Sequence, residues 1–89
     1  MNRTQLSRRL IVEALLRGDS DVTALNGMKF LTTRITNHIV ELRKMELDIE
    51  TKIIKTKNSS YGAYYLKGRE ENISRAYEIL EALQDDEVA

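Results

Sequence analysis

Eighty-nine residues, 42% hydrophobic and 31% charged, predict one soluble globular domain with a single modest core. The chain has no cysteine and one histidine, which excludes a disulfide framework, a thiolate metal site, a cysteine nucleophile and a zinc site made from histidines. Fourteen Lys plus Arg balance fourteen Asp plus Glu, but residues 1–69 hold thirteen cations against seven anions, net +6, and residues 70–89 hold one against seven, net −6.

A basic body with an acidic tail still attracts phosphate when the tail lies away from the binding face; alternatively the tail only keeps a small protein soluble. The N-terminal MNRTQLSRRL is charged and polar, with no apolar run of signal-peptide or membrane-span length, so the expected setting is cytoplasmic, with no membrane partner.

Taken in order, Thr4 is an N-cap candidate, and Leu6, Leu10, Ala14 and Leu15 or Leu16 recur at helical spacing until Gly18 stops the run. That predicts a first helix over about residues 5–17, with Arg8 and Arg9 as minor phosphate-contact candidates. Asp19 to Asp21 form a polar turn, and Ser20 or Asp21 can cap a short second helix starting near Val22 or Thr23. Val22, Leu25, Met28 and Phe30 read as its inward residues.

A longer helix is expected over 31–45, since Leu31, Ile35, Ile39 and Leu42 fall four, four and three apart and form one apolar stripe. The opposite face carries Thr33, Thr36, Asn37, Val40 and Lys44, short hydrogen-bonding groups followed by a cation, a composition suited to a DNA major groove. His38 flanks the stripe without a second group at metal or acid-base spacing, so it reads as a half-buried or surface histidine.

Residues 48–57 and 61–67, rich in β-branched and aromatic side chains, predict two strands around a polar Lys57–Ser60 turn, with Gly62 marking a bulge or a close backbone approach. Alternation assigns Tyr64 and Leu66 to the core and Tyr61 and Tyr65 to the exposed side. After Gly68 a last helix is expected from Glu70 or Glu71 to Leu83, with Ile73, Ala76, Tyr77, Leu80 and Leu83 on one face and a fraying acidic tail beyond.

The order helix, short helix, long helix, hairpin resembles the winged helix-turn-helix proteins of bacteria and their phages. It is similar above all to small phage and prophage domains with a long helix of the form R-I-x-x-x-I-x-x-L-R, an I-E-T strand and a wing ending in Y-x-L. Here these stand as Arg34, Ile35, Ile39, Leu42 and Arg43, then Ile49, Glu50 and Thr51, then Tyr64, Tyr65 and Leu66. The likeness spans about residues 9–67 and leaves the C-terminal helix outside it. Where that family usually has glycine or a small residue between long helix and hairpin, this chain has Glu46 and Leu47. The resemblance implies an α+β winged helix-turn-helix over 1–69, with a C-terminal helix and tail over 70–89. It also implies sequence-specific binding of double-stranded DNA in control of phage transcription or recombination, inside the bacterial host cell.

On this reading Thr32, Thr33, Thr36 and Asn37 face base edges, with Asn37 able to pair bidentately with adenine. Arg34 reaches a phosphate or a guanine, or else pairs with Glu41 or Asp21. Arg43 and Lys44 meet the DNA backbone, as do Lys55, Lys57, Asn58 and Ser59 of the wing. The C-terminal helix either closes the core or packs on its twin; a body that already closes a core favours a homodimer through Ile73, Tyr77, Leu80 and Leu83. No nucleophile, metal cluster or phosphate loop stands out, so no enzyme activity, cofactor, metal or small-molecule substrate is expected. The competing expectation is a winged-helix module that grips a host or phage protein and no DNA, favoured by net neutrality.

Overall fold

The computed structural model describes residues 3–18, 22–23, 27–32 and 34–85, and its centre is the first helix, α1 (Arg3–Arg17). Only Arg3, Thr4 and Arg17 on α1 are exposed, because other elements cover it on several sides. Ile11, Val12, Ala14 and Leu15 are buried, whereas Leu6, Leu10 and Leu16 of the expected stripe are half-buried at its edges. Gly18, at φ +76°, ends the helix as expected, its N–H donating to the Leu15 carbonyl at 3.2 Å. Thr4 lies inside the helix and is not its cap.

The expected second helix does not begin at Val22 or Thr23. The Val22 carbonyl accepts the Tyr64 N–H at 2.8 Å, and Thr23 forms an antiparallel bridge to Ala63, so this stretch adds a short third member to the hairpin. Both residues are buried there, which β-branched side chains favour on a pleated surface. The cap candidates Ser20 and Asp21 and the core candidate Leu25 lie outside the described residues. Among the described residues of this segment, the helical part is one 3₁₀ turn, Gly27–Phe30, with Phe30 buried and Met28 80% exposed, against the inward position expected for it.

The turn closes with Leu31 at φ +57°. The Leu31 N–H donates to the Met28 carbonyl and the Thr32 N–H to the Gly27 carbonyl, the paired bonds of a Schellman ending. Leu31 is thus in the left-handed region and exposed, and the long helix α2 (Ile35–Lys44) begins four residues later than expected. Ile35, Ile39 and Leu42 are buried as expected; each contributes about 1.5–3 kcal/mol on leaving water. A second Schellman ending closes α2: the Glu46 N–H donates to the Arg43 carbonyl and the Leu47 N–H to the Leu42 carbonyl. Glu46, the first of the two residues noted between the long helix and the hairpin, takes φ +68°.

Strands β1 (Ile49–Lys55) and β2 (Ser60–Leu66) pair antiparallel without a bulge, from Ile49 opposite Leu66 to Lys55 opposite Ser60. Ile49, Thr51 and Ile53 share a face with Leu66, Tyr64 and Gly62. Tyr64 is in the core and Leu66 packs against it, while Tyr61 and Tyr65 of the outer face are half-buried and not fully exposed. Lys52 lies 5.0 Å from the Tyr65 ring centre, a cation–π contact on that outer face.

Helix α3 (Glu70–Asp85) packs on α1 and completes the core with Ala76, Ile79 and Leu83. Its Asn72 is 5% exposed and joins α3 to the backbone at both ends of the hairpin: its side-chain oxygen accepts the Asp48 N–H, and its amide donates to the Asp48 and Lys67 carbonyls, all at 2.8 Å. The buried face is therefore Asn72, Ala76, Ile79 and Leu83, rotated from the face the apolar pattern suggests. The architecture is α+β, three helices and a two-stranded antiparallel hairpin, compatible with a winged helix. Among the described residues no helix is long and apolar enough to cross a membrane.

Candidate nucleic-acid interface

Burying Ile35, His38, Ile39 and Leu42 turns Thr36, Asn37, Val40 and Lys44 outward, since residues four apart share a helix face. Thr36 and Asn37 occupy the first turn, beside the N-terminal end of the helix dipole. Lys44 pairs with Glu41 at 3.3 Å, an exposed contact that a phosphate can displace at little cost. Arg34 stands at the N-cap position with no side-chain cap, and its N–H donates to the Thr32 hydroxyl at 3.0 Å. Thr32 is half-buried and off the helix, and Thr33 lies outside the described residues.

Arg43 has a different place from the one expected. Its Nη2 donates to the Ile49 carbonyl at 2.9 Å and to the Thr51 hydroxyl at 2.7 Å, so it fastens the end of α2 to β1. In the hairpin loop, Thr56 and Ser59 tie each other: the Thr56 N–H and hydroxyl both reach the Ser59 carbonyl, and the Ser59 N–H donates to the Thr56 hydroxyl. The Ser59 hydroxyl is 3.0 Å from that of Thr56 and is thus held in the loop. Lys55, Lys57 and Asn58 are exposed around it. Ile53, between Thr51 and Lys55 along the same strand face, is 63% exposed, a position to which apolar counting gives no role.

The pairing of charges is uneven. Lys67 and Arg69 both meet Asp48, and Arg75 meets Glu46 and Glu78, near the start of α3. Arg3, Arg34, Lys55 and Lys57 have no carboxylate partner among the described residues. The chain matches no protein-family model, no curated protein and no solved structure. The arrangement itself offers hydrogen-bond donors and unneutralised cations on α2, the hairpin tip and the start of α1. Among the described residues no group of three or more His, Asp or Glu side chains can hold a metal ion.

Beside the outward face of α2, an open cleft of about 420 Å³ lies between the start of α1, the Met28–Thr32 turn and the start of α2. His38 lines it while only 7% exposed, and the Arg8 Nε donates to its Nδ1 at 3.4 Å. Burial and then the Arg8 charge lower its pKa below the ordinary 6.5, so the ring is neutral at pH 7. Of the expected dimer residues, Leu83 is buried in the core and Leu80 packs against it, whereas Ile73 and Tyr77 remain exposed.

Proposed function

We propose that this chain is a sequence-specific binder of double-stranded DNA, a winged helix-turn-helix protein that regulates transcription in a phage, prophage or bacterial setting. Helix α2 lies in the major groove, with Thr36 and Asn37 at base edges and Val40 available to a thymine methyl group. The hairpin is the wing, its Lys55 and Lys57 against backbone phosphates, with Asn58 beside them. The observation that carries this reading is the two-faced α2: its apolar side is spent entirely on the core, and its polar first turn faces outward in a molecule whose hairpin lysines have no carboxylate partner among the described residues. Fold alone is compatible with many activities, so the argument rests on these side chains.

The reading includes no enzymatic step. Among the described residues a homodimer through α3 has only Ile73 and Tyr77 left as large exposed apolar residues, a narrow contact for a stable pair. The second reading, a winged-helix module that binds a protein and not DNA, draws on the exposed Ile53, an apolar residue set between hairpin cations. One experiment separates the two: binding of the purified protein to a random duplex pool at low and moderate salt, with sequencing of the retained fraction. Enrichment of a motif supports the DNA reading, and a palindrome adds a dimer. No retention at low salt rejects it in favour of a protein partner.

A further inference from the structure

The cleft between α1 and α2 adjoins the outward face of α2 and shares Thr32 and Arg34 with the contacts expected for DNA, but its other lining residues have no part in that reading. We infer that it is a phosphate-binding site in its own right, with Arg3 and Arg34 as the cationic jaws and His38, Thr4 and Thr32 as hydrogen-bond donors. Three observations carry this. First, both arginines line the same cleft and are exposed, and among the described residues they lack a carboxylate partner and no carboxylate lines the cleft. Two guanidinium groups gathered without a counter-charge repel each other, and an anion converts that repulsion into charge-assisted bonds.

Second, His38 is nine-tenths buried, yet only one of its nitrogens is engaged within the protein. Because Nδ1 accepts from Arg8, the proton of the neutral ring sits on Nε2, which no described group accepts. No fully buried side-chain nitrogen or oxygen among the described residues lacks a partner, so Nε2 reaches accessible space, and the space that His38 lines is the cleft. Third, the Thr32 oxygen accepts the Arg34 N–H, which leaves its proton to donate outward. The donors and cations thus gather with no competing acceptor charge, the chemistry of a phosphate and not of a cation or a neutral amide.

A cleft of about 420 Å³ exceeds a lone phosphate, and Met28 and Leu31 supply an apolar wall for the group attached to it. That group belongs either to a duplex backbone crossing the flank of α2 or to a free phosphorylated small molecule. The shared chemistry is the phosphate, and the test separates the sources.

The protein labelled with ¹⁵N is titrated with inorganic phosphate at fixed ionic strength, chloride making up the difference, while the Thr32, Arg34 and Ile35 amides and the His38 ring are followed. Saturating shifts confined to those signals are expected, with Lys57 amide shifts no larger than those caused by chloride. The Arg3→Gln, Arg34→Gln double variant weakens the response about tenfold or more, whereas Lys52→Gln on the outer face of the hairpin leaves it unchanged. If the double variant loses the parent's dispersed spectrum, the two single variants make the same comparison. Shifts equal to those from chloride, or unaltered in the arginine variants, overturn the inference. The same titration with a short duplex then assigns the source: cleft shifts that phosphate competes away identify the DNA backbone, and a duplex that leaves the cleft signals unmoved identifies a small phosphorylated ligand. A failed duplex selection rejects the DNA reading without touching the phosphate result, because the phosphate titration contains no DNA and reads the cleft directly.

Discussion

Among the described residues Asn72 is the one polar side chain through which α3 holds both ends of the hairpin, so its replacement measures how the C-terminal helix is attached. In Asn72→Ala the Asp48 N–H and the Lys67 carbonyl lose the partner the amide gives them, while the Asp48 carbonyl keeps the Lys67 N–H at 3.2 Å. Two part-buried backbone groups left without partners, at about 1–3 kcal/mol each, give an expected loss of about 2–4 kcal/mol once partial access of water is allowed. For a domain of this size each kcal/mol lowers Tm by about 4–8 °C, so a fall of at least about 8 °C is expected. Asn72→Asp is the sharper probe. It keeps the acceptor for the Asp48 N–H but sets a carboxylate against two carbonyl oxygens, so at pH 7 it is no more stable than Asn72→Ala. Protonation restores one donor, and the introduced carboxyl therefore has a raised folded-state pKa: its deficit is greatest above that pKa and shrinks as pH falls. Urea unfolding monitored by circular dichroism, at neutral and mildly acid pH, reads both variants. An Asn72→Ala protein within about 0.5 kcal/mol of the parent would refute the bridge, since surface changes stay in that range.

The remaining expectations concern the junctions, the histidine and the proposed DNA contacts. Glu46→Gly should be more stable than Glu46→Ala by about 1 kcal/mol, because a Cβ at φ +68° is strained and both variants equally lose the exposed Arg75 pair; equal melting temperatures would contradict this. His38 is held neutral by burial and by Arg8, so the unfolded chain binds more protons below pH 6.5, and stability falls as pH drops through that value. His38→Gln should flatten the decline between about pH 7 and 5.5 in the same urea assay, and an unchanged slope would mean that the ring is not buried in solution. Asn37→Ala is expected to cost about 1–3 kcal/mol on the selected duplex and to relax preference at one base pair; undiminished affinity would remove Asn37 from the groove. Lys57→Gln should weaken binding to every duplex alike and lower the salt dependence by about one counterion, an effect read from titrations at several salt concentrations.

Several elements are legible from residue spacing alone. The Ile35, Ile39 and Leu42 stripe, the stop at Gly18 and the placement of Tyr64 inward come directly from periodicity and turn chemistry. Leu31 does not, because its spacing from Ile35 suits a helix while its backbone is taken up closing the preceding turn. Val22 and Thr23 stand where a capped helix would start, but the β-bridge from Thr23 to Ala63 is a contact forty residues distant in sequence, to which local propensity is blind. The face of α3 differs from the expected one for a chemical reason. A pattern of apolar residues cannot register Asn72, whose polar groups are all matched by backbone, and so it gives the face to Ile73 and Tyr77 instead. At the candidate site, Thr36, Asn37, Lys55 and Lys57 emerge exposed as expected. The hydrogen bonds of Arg43 to the hairpin and the placing of Arg3 and Arg34 around one cleft depend on tertiary geometry that no spacing encodes.

Arg43 also has a mechanical consequence. One guanidinium nitrogen grips the backbone of Ile49 and the hydroxyl of Thr51, so the end of α2 and the start of β1 move together as a single stiff bracket. On the proposed DNA reading, a duplex that meets both the helix and the hairpin tip finds their separation set in advance, and any misfit is absorbed by bending or twisting the DNA. Selectivity then comes partly from how readily a sequence deforms, including base pairs that no side chain touches. Cutting the bracket with Arg43→Met would let the two arms adjust independently and trade that mechanical selectivity for tolerance.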